Sequence, residues 1–145
     1  MARDVIGLFL RSLENDYQQR LRDDAIDKAA HLGFRVKVFS AHNDPARQNG
    51  QIAKAMTGAD KDELAAVLVS PVFDESLAEA ARSAGDAGIG WALLNREASY
   101  LDGLRSDYPQ LPIFSATPDQ VEIGRLQARQ AKAAMPAGVT FVCQT

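Results

Sequence analysis

Cysteine is nearly absent from these 145 residues. Cys143 stands alone, so no intramolecular disulfide and no multi-cysteine zinc site can form. Histidine is as scarce, with only His31 and His42, which leaves nothing for a histidine-rich metal centre. Positive charge is not in excess either: 16 Lys and Arg face 19 Asp and Glu, a net charge of −3, which speaks against a chain that coats nucleic acid or anionic lipid. Long apolar runs are missing, since Val5-Ile6-Gly7-Leu8-Phe9-Leu10 is far shorter than the roughly 20 residues that cross a bilayer. The start, Met1-Ala2-Arg3-Asp4, has no signal-peptide core. The chain therefore reads as cytoplasmic if Met1 is the native start, and as periplasmic if a signal peptide has been removed. No metal and no cofactor is expected.

What is present is alternation. With 46% hydrophobic and 24% charged residues, the length suits one soluble domain over residues 1–145. Val5 to Leu10 reads as a buried strand, and Tyr17, Leu21, Ala25, Ala29 and Leu32 recur at helical spacing until Gly33 stops them. Arg35-Val36-Lys37-Val38-Phe39 alternates polar with apolar and fits an edge strand. Asp44-Pro45 caps a second helix that runs toward Gly58. Residues 65–69 and 90–94 read as central strands around a helix over residues 74–87, with Leu77, Ala81 and Ala84 inward and Trp91 in the core. The stretch from Glu97 to Pro109 reads as irregular, and Leu111-Pro112-Ile113-Phe114 as a strand near the other margin. Thr117-Pro118-Asp119-Gln120 reads as a capping box with proline at the first helical position, opening a helix that buries Val121, Gly124, Ala128, Ala131 and Met135. Residues 139–143 complete a sixth strand. Such alternation predicts a three-layer α/β/α sandwich, a flavodoxin- or Rossmann-like lobe with a mostly parallel six-stranded sheet.

In a sheet of this kind ligands gather at the carboxyl ends of the strands, which selects residues 11–17, 40–44, 70–74, 95–97 and 117–119. The first of these loops has no glycine, so no dinucleotide-binding turn is expected there, and a phosphate-accepting receiver would want carboxylates where Arg11 and Ser70 stand. No nucleophile elbow or P-loop is present, so no catalytic residue is assigned and the chain is not expected to be an enzyme. The loops instead collect hydrogen-bonding groups: Arg11, Asn15, Asp16, Asn43, Asp44, Asn95, Arg96 and Asp119, with Tyr17 as an apolar plate. Amides and a carboxylate beside guanidinium groups satisfy several hydroxyls at once, and an aromatic face covers a ring, so a small polar ligand such as a carbohydrate fits.

Five segments in order carry a resemblance: residues 6–17, 30–36, 43–48, Asn95-Arg96 and 119–125. Together they resemble the type I periplasmic binding proteins of the ribose-binding class and the effector domains of lactose-repressor-like regulators. In that family Asn15 and Tyr17 match a polar and an aromatic ligand contact and Arg96 an arginine on ligand hydroxyls. Gln18 stands where a second aromatic is usual, Asn95 where an aspartate is usual, and residues 98–109 look like an insertion. The resemblance implies an N-terminal lobe whose ligand is closed in by a second lobe of the same protein, serving a transporter or sensor partner. A regulator's effector lobe would need a helix-turn-helix segment ahead of Asp4, and a free-standing receiver-like interaction domain is the other alternative. Self-association is expected through the loop face, with Tyr17, Phe73 and Phe141 as apolar candidates.

Overall fold

The computed structural model describes residues 3–59 and 61–135. Five strands form one parallel sheet in the order β2-β1-β3-β4-β5: β1 (Val5–Leu10), β2 (Arg35–Ser40), β3 (Leu64–Val69), β4 (Gly90–Leu94) and β5 (Ile113–Ala116). β2 lies at one edge, as its alternation predicts, with Arg35 exposed, and the proline-led β5 lies at the other. The expected sixth strand, residues 139–143, falls outside the described residues, as do Phe141 and Cys143.

The helices α1 (Asp16–His31), α2 (Pro45–Thr57), α3 (Ala78–Asp86) and α4 (Tyr100–Asp107) connect successive strands. Right-handed crossovers applied to this strand order place α1 on one face of the sheet and α2, α3 and α4 together on the other, giving the three layers. α1 begins where Asn15 Oδ1 accepts from the Gln18 amide at 2.9 Å. It ends with Gly33 at φ +81°, a left-handed turn in which the Phe34 amide reaches Ala29 O at 2.9 Å. α2 is capped as expected, Asp44 accepting from the amides of Ala46 and Arg47 with Pro45 in the first turn.

The main core lies between the sheet and α2–α4. Val5 and Phe9 of β1, Val67 and Val69 of β3, Trp91 and Leu93 of β4 and Ile113 of β5 meet Ile52, Leu77, Ala81, Ala84, Leu101 and Leu104 there. The α1 face is covered less completely. Ile6, Ala66 and Leu68 stay partly accessible on it, and Phe114 of β5 is 47% exposed.

Four expectations are corrected. Residues 100–107 form α4 rather than an irregular stretch; two core anchors, Leu101 and Leu104, with Gly103 between them give too little periodicity to read. Asp119, not Thr117, caps the last helix, α5 (Gln120–Ala134), by accepting from the Glu122 amide at 2.9 Å, so Pro118 precedes the cap. α5 buries none of its residues: its stripe is not inside, and Val121, Ile123 and Leu126 are exposed. Periodicity identifies an apolar face, not what stands opposite it. The α1 stripe is also rotated, since Ala29 and Gln18 are buried while Tyr17 and Leu32 face solvent. Among the described residues no helix is long and apolar enough to cross a membrane.

Candidate functional site

Because all five strands run parallel, the loops that follow them open at one end of the sheet. All five contribute to a cleft of about 770 Å³ lined by Arg11, Asn15 and Tyr17, by Asn43, by Ser70 and Pro71, by Asn95 and Arg96, and by Pro118. Gln18, Leu94, Gln120 and Ile123 complete the lining. The volume suits a small molecule.

Hydrogen bonds between loops fix this arrangement. Arg11 Nε donates to Asn43 Oδ1 at 3.3 Å while the Asn43 amide donates to Arg11 O at 2.7 Å, joining the loops after β1 and β2. Tyr17 Oη donates to Asn95 Oδ1 at 2.6 Å, joining the first loop to that after β4. Asn43 and Asn95 have φ of +61° and +65°, the left-handed region that asparagine tolerates better than most residues. Tyr17 is 56% exposed and lines the cleft, so it is not the first core residue of α1.

The floor is polar and buried. Gln18 is 4% exposed and Ser70 3% exposed, with Gln18 Nε2 at a long 3.5 Å from Ser70 Oγ and Gln18 Oε1 without a partner. Beneath them Gln48, 1% exposed, clamps the loop after β3: its Nε2 donates to Ser70 O at 3.0 Å and its Oε1 accepts from the Val72 amide at 2.9 Å.

Of the residues read from sequence, Arg11, Asn15, Tyr17, Asn43, Asn95 and Arg96 converge on the cleft. Asp119 does not line it and is engaged as the cap of α5. The histidines sit at the surface, and among the described residues no three of His, Cys, Asp and Glu gather as for a metal. Gln18 and Ser70 stand out in the sequence only as departures from other patterns, and Gln48 does not stand out at all. The available signal was a glutamine at the third helical position behind an Asn cap, where the rotation of α1 turns it inward.

An open-ended parallel sheet with a polar cleft at its carboxyl edge is the architecture of a ligand-binding lobe, and the comparison with known families agrees. The chain matches the periplasmic binding protein domain family over residues 6–145 and belongs to it. Among curated relatives it is 27% identical over 99 residues to the ribose import binding protein RbsB of Escherichia coli K12. It is 30% identical over 98 residues to that of Haemophilus influenzae. Each match covers 68% of this chain and 32% of the relative, so the chain spans about a third of the length of the curated relatives it matches. Two solved structures share the fold. A Caulobacter myo-inositol binding protein superposes with a TM-score of 0.71 at 22% identity, covering 94% of this chain and 42% of the other. A periplasmic solute binding protein of an ABC transporter from Actinobacillus succinogenes, solved with D-allose, gives 0.73 at 21%, covering 90% and 44%.

Proposed function

We propose that this chain is the ligand-binding N-terminal lobe of a solute-binding protein that delivers a small polar, sugar-like molecule to an ABC-type transporter or a sensor. The observation that carries the reading is the convergence of all five strand-end loops on one cleft with five amide side chains, two guanidinium groups and an exposed tyrosine ring. Relatives named for ribose, myo-inositol and D-allose support a polyhydroxylated ligand. Binding rather than catalysis fits the floor, because the side chain nearest Ser70 Oγ is the amide of Gln18, which cannot act as a base.

The cleft is open on the side facing away from the sheet, and the partly bare α1 face and unburied α5 both present apolar groups. These features support a second lobe that closes over the ligand and excludes water. Calorimetry of the proposed two-lobed protein against ribose, D-allose and myo-inositol tests the reading, with binding of at least one member of the panel expected. Residues 1–145 alone, holding half a site, should bind at micromolar affinity or weaker, roughly −8 kcal/mol or less in magnitude. Much tighter binding by residues 1–145 alone would overturn the two-lobe arrangement.

A further inference from the structure

The cleft is charged with one sign only. Its lining holds Arg11 and Arg96 and no Asp or Glu, although the chain as a whole carries a net charge of −3. Glu14, on the same loop as Arg11, is outside the lining and is turned to His42 at 3.7 Å. Elsewhere Arg22 meets Asp23, Arg35 meets Asp4 and Glu63, Arg82 meets Asp107, Arg105 meets Asp102 and Arg125 meets Glu122, while the exposed Arg20, Arg47 and Arg129 meet no carboxylate among the described residues. Arg11 has only the neutral amide of Asn43, and Arg96 makes no hydrogen bond or ion pair among the described residues.

Two guanidinium groups closed over a neutral ligand regain hydrogen bonds from its hydroxyls but no counter-charge, and the described lining supplies none. A carboxylate or phosphate supplies that counter-charge and matches the planar donor fork. The floor adds a second requirement. One end of the buried Gln18 amide is unpaired whichever way the amide is turned, since Ser70 Oγ can donate or accept but reaches only one end. A ligand hydroxyl, both donor and acceptor, satisfies either orientation.

Resting on the solute-binding reading above, we propose that the cognate ligand is an anionic polyol, a sugar or cyclitol bearing a carboxylate or phosphate, with its charge on Arg11 and Arg96 and a hydroxyl on Gln18. Tyr17, Leu94 and Pro71 give the ring its apolar contacts, and Asn15 and Asn95 serve the remaining hydroxyls.

The test is calorimetry of the same two-lobed protein against a matched set: D-glucose, D-glucuronate and D-glucose 6-phosphate, beside the neutral panel already named. At least one anion should bind about tenfold or more tighter than every neutral compound, with the advantage shrinking as salt is raised. Whether glucuronate or the phosphate leads tells which acid group the site takes. R96Q and R11Q should each lower anion affinity about tenfold at an unchanged melting temperature, and R96K should recover part of the loss because it keeps the charge without the fork. Neutral compounds binding as tightly as their anionic counterparts would overturn the anionic ligand and leave the solute-binding reading standing. Failure of every compound, neutral and anionic alike, would overturn that reading itself.

Discussion

Replacing Gln48 with leucine would remove the one side chain that satisfies two backbone groups of the loop after β3. In the native chain its amide donates to Ser70 O at 3.0 Å and accepts from the Val72 amide at 2.9 Å, and the side chain is 1% exposed. Leucine fills a similar volume, so cavity formation contributes little and the loss is mainly polar. An unsatisfied buried backbone group costs about 1–3 kcal/mol. Ser70 is buried and takes the full penalty, while Val72 is half-buried and recovers part of its loss from water. The expected destabilisation is therefore about 2–4 kcal/mol, a large share of the 5–15 kcal/mol typical of a domain. Urea unfolding followed by the fluorescence of Trp91, the single tryptophan and 1% exposed, reads this core directly. Q48E separates the two bonds: it keeps the acceptor for Val72 but sets a carboxyl oxygen against Ser70 O. It should destabilise at neutral pH and recover as the carboxyl is protonated. A Q48L midpoint equivalent to a loss below about 0.5 kcal/mol would refute the clamp, because such a loss is ordinary for a surface substitution.

Glycine positions give opposite signs within one layer: a Cβ at Gly85 would lie 2.4 Å from the Tyr108 ring, so G85A should cost about 1–3 kcal/mol, whereas Gly103 in α4 has nothing within 4 Å and G103A should stabilise by about 0.5–1 kcal/mol, both read by thermal unfolding. Burial pushes the Tyr100 hydroxyl up to about 12, with the nearby Trp91 indole opposing the shift. Its folded-state value is above the unfolded one, so its contribution to stability should be constant below pH 10 and fall as pH rises toward 12; Y100F should reduce that fall and leave the part due to Tyr108, which its hydrogen bond to Asp86 also pushes up, at little cost at neutral pH. At Asn95, N95G keeps the φ of +65° and loses only the acceptor for Tyr17, while N95A also strains the backbone by about 1 kcal/mol, so ligand affinity should fall in both and stability more in N95A.

Sequence reading succeeds here wherever one residue type serves one local rule. Asp44-Pro45 caps α2, Gly33 ends α1, and the alternation of residues 35–39 marks an edge, since each depends on near neighbours alone. It loses force where the answer depends on what lies across space. The apolar residues of α5 carry a helical period but no statement of a partner, and in α1 the period passes through both Tyr17 and Gln18 without fixing which faces inward. The cleft follows the same division. Arg11, Asn15, Asn95 and Arg96 were legible because strand ends announce themselves, whereas Gln48 lies mid-helix and meets Ser70 and Val72 only through the fold.

Along β4 the side chains of Trp91 and Leu93 enter the core, Leu94 reaches the cleft wall, and the next two residues are Asn95 and Arg96. The border between what folds this chain and what selects its ligand is thus about one residue wide. Substitutions just beyond it can redraw chemical preference while the sheet inherits no penalty. Gln48 marks the exception. Through it the backbone of the rim after β3 is tied to α2, so a change that shifts Ser70 O or the Val72 amide is felt in the interior.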